Sequence, residues 1–276
     1  MEPDGALALM VLPPYGWIVA GVWGAMWGSF FNVCIHRLGL YESVVRPRSR
    51  CPSCGRTIGA GDNIPIVSWL LLRGRCRNCG ARISARYPLV ELASLGLALA
   101  VYARFVDGAP GDASTRLAHF FVYFAFAGAL LVLSMIDFDH QLIPDRVTYP
   151  AIPIFFVCAI LLRDVAPLEL LLGAVIGYGL VALTAELSFR LLGREGMGYG
   201  DAKLLMMVGA LLGWRAVVVT FFVAPFFGLL IIPAVLLARR KRVLGVEVPY
   251  GPFLAGAALV YLLFGERLLA LLPFRG

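Results

Sequence analysis

Uncharged apolar blocks of twenty to thirty residues recur along the whole chain, and they limit what it can fold into. Ala6 to Ile35, Leu117 to Ile136 and Ala216 to Ala238 contain no Asp, Glu, Lys or Arg. Coiled as a helix, each is long enough to cross the roughly 30 Å of bilayer hydrocarbon. Inside lipid the backbone must satisfy its own hydrogen bonds, which favours helices for segments of this length. Composition agrees: 60% of the 276 residues are hydrophobic and 15% are charged, against about 25% charged in a soluble domain. The N-terminus carries Glu2 and Asp4 instead of lysines, and apolar blocks continue to the C-terminus, so none reads as a cleavable signal peptide.

Eight spans are expected, over about 12–35, 88–105, 117–136, 147–162, 168–189, 202–213, 216–238 and 249–265. The sixth is only a dozen residues long, a length that also suits a re-entrant segment. Its separation from the seventh rests on Gly213-Trp214-Arg215, and without that break seven spans remain. Basic residues set orientation. The segment from His36 to Tyr87 holds ten arginines against Glu42 and Asp62, and putting it in the cytoplasm places 137–146, 190–203 and 239–248 on the same side. Those four segments contain 18 of the 24 Lys and Arg, including Arg239-Arg240-Lys241-Arg242. Seven spans would turn that run outward, so eight are favoured. The net charge of +7 is therefore topological and suits anionic lipid headgroups, with no nucleic-acid partner expected. The resulting fold class is an all-α polytopic membrane protein in three parts: a first helix (1–36), a cytoplasmic loop (37–87) and a helical membrane core (88–276).

Within the loop, Cys51-Pro52-Ser53-Cys54-Gly55 and Cys76-Arg77-Asn78-Cys79-Gly80 are matching knuckles with 21 residues between them. A CxxC turn presents two thiolates to one ion, and the following glycine can adopt the positive φ that the turn needs. Two such turns complete a closed four-sulfur site, zinc-ribbon-like and structural, with zinc the expected metal and iron the competitor. A disulfide framework does not suit a reducing compartment. Cys34 and Cys158 fall inside spans, where cysteine behaves as a small apolar residue.

Ionisable groups bordering a span are costly and so functional suspects. Asp137 ends the third span and Asp201 begins the sixth, in Gly198-Tyr199-Gly200-Asp201. Span parity puts both at the cytoplasmic boundary, where they can face each other across one cleft. Two carboxyl groups sharing a proton can hydrolyse a peptide without a metal, one activating water while the other polarises the carbonyl. Glycines at 198 and 200 would let the backbone approach an extended substrate. Asp139 is the alternative to Asp137, but two helical residues turn it about 200° away. Helix-end charges predict that the shared proton rests on Asp137, at a helix C-terminus, and that Asp201, at an N-terminus beside Lys203, is the base.

These residues carry a family resemblance. Gly198-Tyr199-Gly200-Asp201 matches the GxGD signature of membrane aspartyl proteases. Asp137 with Ile143-Pro144-Asp145, Gly28-Ser29-Phe30-Phe31-Asn32-Val33, the tetracysteine loop and its Asn63-Ile64-Pro65 and Ser68-Trp69 resemble bacterial type IV prepilin peptidases in the same order. The resemblance implies that Asp137 and Asp201 are catalytic, with Gly198, Gly200, Lys203 and Asp145 in support, Asp145 by capping the fourth span. It also implies a multi-pass protein of the bacterial inner membrane, with its site facing the cytoplasm. The implied substrates are prepilin or pseudopilin precursors, cut between a basic leader and an apolar helix. It further implies N-methylation of the new N-terminus with S-adenosylmethionine, though no glycine-rich nucleotide fingerprint marks a donor site. By the same resemblance Asn32 is read as a substrate contact, the alternative being a bond to a neighbouring helix. Glu91 reads equally as a contact for a basic substrate or as a polar residue facing the bundle interior. The rival functions are a proton- or cation-coupled transporter, disfavoured because such sites lie near the bilayer midplane, and a non-catalytic tether.

Overall fold

The computed structural model describes residues 10–46, 48–163, 165–193, 196–239 and 249–271. Among them eight long helices follow one another: α1 (Tyr15–Leu38), α2 (Arg86–Phe105), α3 (Ala113–His140), α4 (Asp145–Leu162), α5 (Pro167–Leu192), α6 (Tyr199–Leu212), α7 (Trp214–Arg239) and α8 (Gly251–Leu271). The first five are long and apolar enough to cross a membrane, and α7 and α8 contain shorter apolar stretches, as a multi-pass membrane protein requires. Each helix coincides with an expected span, and Gly213, at φ 85°, separates α6 from α7. Beyond Arg239, the basic run lies outside the described residues.

Two boundaries moved. Helix α3 continues to His140 and α6 begins at Tyr199, so Asp137 lies in the last helical turn of α3 and Asp201 in the first of α6, each two or three residues inside the helix end. Hydropathy marks only the apolar stretch, whereas intrahelical hydrogen bonds continue through the polar residues at either end.

The chain forms two compact units, Met1–Gly128 and Ala129–Gly276. In the first, α1 packs along α2 through Gly16, Ala20, Gly24 and Gly28, one small residue per turn and all buried. A Cβ on Gly24 would come within 2.5 Å of the Ala98 Cβ, and one on Gly28 within 2.7 Å of the Glu91 Cα. Small residues let helices approach in lipid, where apolar burial gives no drive to associate. The buried Ser94 hydroxyl donates to the Gly24 carbonyl at 2.7 Å.

In the second unit α6 packs against α4, α5, α7 and α8. Nearly all of Asp201–Leu212 is buried. Its 14 residues reach about 21 Å, short of the hydrocarbon thickness, but its neighbours on four sides are protein. Arg163, following α4, donates from Nη1 to the Leu211 carbonyl at 2.5 Å and so satisfies one of the carbonyls that α6 leaves open at its C-terminus.

Candidate active site

Asp137 and Asp201, 64 residues apart in sequence, are both buried in the second unit, at 6% and 8% exposure, and lie within electrostatic range of one another. Asp201 sits in the first turn of α6. Its Oδ2 accepts the Gly198 N–H at 3.2 Å, while its own N–H donates to the Gly198 carbonyl at 3.0 Å. This reciprocal pairing satisfies a donor that the helix start would leave unbonded. Asp137 lies in the last turn of α3, and its Oδ2 accepts the Gly251 N–H at 2.9 Å. Asp139, on the far side of that turn, is exposed.

Both carboxylates therefore accept a backbone N–H at the start of a helix, Asp201 from α6 and Asp137 from α8. Asp137 keeps its place in the last turn of α3, as the helix-end argument for its proton requires, but the N-terminus of α8 also meets its carboxylate and weakens the contrast with Asp201. Lys203 is also placed differently from expectation. Its Nζ pairs with the Asp145 carboxylate and lies 5.3 Å from the centre of the Tyr149 ring, so its ion-pair partner is Asp145 and not Asp201. Nor does Asp145 cap α4. Pro144 occupies the cap position, and Asp145 is the first helical residue.

Gly200 packs on Ile143, with a Cβ at that position coming 3.1 Å from the Ile143 Cβ. Its small size serves the contact between α6 and the α3–α4 turn, on the side expected to be open to a substrate strand. Two residues at the site were missed from sequence, Tyr250 and Gly251. Tyr250 is part-buried and within electrostatic range of Asp201. The available signal was Pro249-Tyr250-Gly251-Pro252, where helix breakers flank an aromatic at the start of a span.

The first unit holds a third buried carboxylate. Glu91 of α2 accepts the Ile66 N–H at 2.7 Å and a bond from the Ser29 hydroxyl of α1. Ile66 has φ 64° and ψ −52° at the centre of a γ-turn closed by the Val67 N–H on the Pro65 carbonyl, a positive-φ conformation that costs a β-branched residue about 1–3 kcal/mol. Glu91 thus fastens the loop to both helices. Nearby, the Asn32 amide donates to the Tyr87 carbonyl of α2 at 3.0 Å, the bond to a neighbouring helix that is the alternative to a substrate contact. Replacing Glu91 by Ala leaves the Ile66 amide and Ser29 without their partner. The expected cost is roughly 1–3 kcal/mol, read as faster hydrogen exchange at the Ile66 amide, with Glu91→Gln restoring part of the protection.

The four loop cysteines converge, with all Sγ atoms within 4.8 Å of one another. In each knuckle the glycine N–H bonds the first cysteine's carbonyl at 2.9 Å, and Gly55 and Gly80 take φ 68° and 71°. The Arg56 backbone and then the Asn78 amide hold the Cys54 thiol down to about 6. In the other knuckle, the Cys79 and Asn78 backbone groups lower Cys76. Arg77 and Asp62 form an ion pair at 2.7 Å across the loop, and Trp69 Nε1 donates to the Ile83 carbonyl at 3.1 Å.

Comparison with known proteins follows the same division of the chain. Residues 22–105 match the bacterial peptidase A24 N-terminal domain, and residues 124–233 match the type IV leader peptidase family. The chain is 38% identical to the prepilin leader peptidase/N-methyltransferase of Stutzerimonas stutzeri, across 92% of each chain. It is 38% identical to the protein of that name from Aeromonas hydrophila, over 88% of this chain and 89% of the relative. For the Pseudomonas aeruginosa relative the identity is 36%, over 89% of each. No solved structure gives a significant match. With the two matches covering most of the helical core and relatives aligned over nearly their full length, the chain belongs to the type IV leader peptidase family.

Proposed function

We propose that this protein is a membrane aspartyl endopeptidase that removes the leader from prepilin or pseudopilin precursors, with Asp137 and Asp201 as the catalytic pair. The observation that supports it most is the burial of these two carboxylates within electrostatic range of each other, each tied to a helix start. One carboxylate takes a proton from water as its oxygen bonds the scissile carbonyl carbon. The other, protonated, donates to that carbonyl, and the C–N bond breaks as the leaving amine gains a proton. Gly198 and the Lys203–Asp145 pair hold the first turns of α6 and α4, and Gly200 seats α6 on Ile143.

The distribution of Lys and Arg supports a site at the cytoplasmic face, in the bacterial inner membrane that the relatives imply. A basic leader would remain there while the apolar stem of the precursor occupies the bilayer, so scission at that boundary fits such a substrate. The relatives' second activity is carried over with it, methylation of the new N-terminus with S-adenosylmethionine as donor. In the loop, four thiolates around zinc at about 2.3 Å would lie about 3.8 Å apart; Cys51 and Cys79 Sγ are 3.8 Å apart. With four protein ligands and no open position, zinc here would hold the loop together and do no chemistry.

Purified protein incubated with a precursor and methyl-labelled donor is expected to give a shortened product carrying label. Absence of cleavage would sink the reading, and cleavage without label would remove only the methyl transfer. Elemental analysis is expected to find one zinc per chain, reduced to background by the combined Cys51→Ser and Cys79→Ser changes. A different metal in that position would correct the assignment.

A further inference from the structure

We propose that Gly251, the first residue of α8, is a positioning residue for the proteolytic pair: its N–H holds the Asp137 carboxylate, and its lack of a side chain is what admits α8 to the site. This rests on Asp137 and Asp201 being catalytic, as proposed above. Gly251 lies beyond residues 124–233, where the peptidase match ends.

Three features of the α8 start carry the inference. The N–H to Oδ2 bond is 2.9 Å and buried. A Cβ on Gly251 would lie 2.7 Å from that oxygen and 3.1 Å from the Asp137 Cγ, so even a methyl group displaces the carboxylate or the helix. The hydrogen-bond inventory of the turn then leaves Gly251 as the donor. Pro252 has no N–H. The N–H groups of Phe253 and Leu254 both donate to the Tyr250 carbonyl, at 3.0 and 3.2 Å. Gly251 supplies one of the helix-start donors that have no intrahelical acceptor, and it is spent on Asp137. Holding Oδ2 fixes the carboxyl plane and leaves the other oxygen for the shared proton or the water. Tyr250, one residue before α8, lies within electrostatic range of Asp201, so the chain entering α8 lies near both halves of the pair.

The test uses the full-length protein in nanodiscs with a precursor substrate, comparing Gly251→Ala, Pro252→Ala and Asp201→Asn. Gly251→Ala is expected to lower kcat about thirtyfold while KM stays within about threefold, as misplacement of a reacting group does. Its thermal midpoint should stay near that of the parent. The carboxyl infrared band of Asp137, assigned by its loss in Asp137→Asn, should be displaced in Gly251→Ala and unmoved in Pro252→Ala. Parental kcat in Gly251→Ala, or lost activity with an unmoved Asp137 band, would overturn the inference. Cleavage by Asp201→Asn would instead bring down the catalytic reading beneath it, whatever Gly251→Ala does.

Discussion

Changing Asp201 to Asn is expected to cut the rate of precursor cleavage by at least about a thousandfold, equivalent to about 4 kcal/mol of transition-state stabilisation. The substitution keeps the side chain's shape, and its amide oxygen can still accept the Gly198 N–H that now reaches Asp201 Oδ2. What disappears is the capacity to take up or release a proton. Asp137→Asn should behave alike, and the double variant should be no worse than either single one, because two groups that share one proton act as a unit. Folding should not suffer. Removing one of two neighbouring buried carboxylates relieves like-charge repulsion, so the thermal midpoint should be equal or higher, the usual sign that a site is kept for function at some expense of stability. Asp139→Asn is the control. Its side chain is exposed on the far side of the same turn, and its rate should stay within about twofold, as for a surface substitution. If Asp201→Asn retained a tenth of the parental rate, or Asp139→Asn matched its loss, the paired-carboxyl mechanism would be wrong.

Much of this architecture was legible in the sequence because lipid imposes one strong rule. The spans, the division at Gly213 and the matching cysteine knuckles follow from apolar length, a single helix breaker and the CxxC-Gly pattern, each local in the chain. The proximity of Asp137 and Asp201 was also foreseeable, from parity and the Gly198-Tyr199-Gly200-Asp201 setting. The partners of those carboxylates were not. Gly251 reaches Asp137 from 114 residues away, and Lys203 turns from neighbouring Asp201 to Asp145, 58 residues distant. Such pairings depend on which helix lies beside which, and hydropathy carries no information on that. The small residues at 16, 20, 24 and 28 were a readable exception. Their four-residue period marks the face of α1 that meets α2, and an eye on aromatic and charged residues passes over it.

The same reasoning locates the most sensitive packing contact in the second unit. Gly209 of α6 and Gly173 of α5 meet backbone to backbone, and a Cβ on Gly209 would lie 2.2 Å from the Gly173 carbonyl carbon and oxygen. One turn of α5 further on, a Cβ on Gly177 would lie 2.5 Å from the Leu205 carbonyl oxygen. A single methyl at position 209 cannot be absorbed by rotating a side chain, because both colliding atoms are main chain. Helices α5 and α6 must separate along this seam, opening the close contact that small residues provide in membranes. Gly209→Ala is therefore expected to cost about 3 kcal/mol of stability, the upper part of the range for overpacking. Position 209 is also two turns along α6 from Asp201, and a shift of the helix by about 1 Å is enough to cost a hundredfold in rate. Protein that remains folded should thus cleave about a hundredfold more slowly, with its thermal midpoint lowered as well, whereas Gly251→Ala leaves the midpoint alone. Gly256 of α8, whose added Cβ meets nothing within 4 Å, supplies the comparison. Alanine there should leave the rate unchanged and raise stability by up to about 1 kcal/mol through helix propensity. If Gly209→Ala and Gly256→Ala melted and cleaved alike, α5 and α6 would not be in backbone contact, and the seating of Asp201 would need another support.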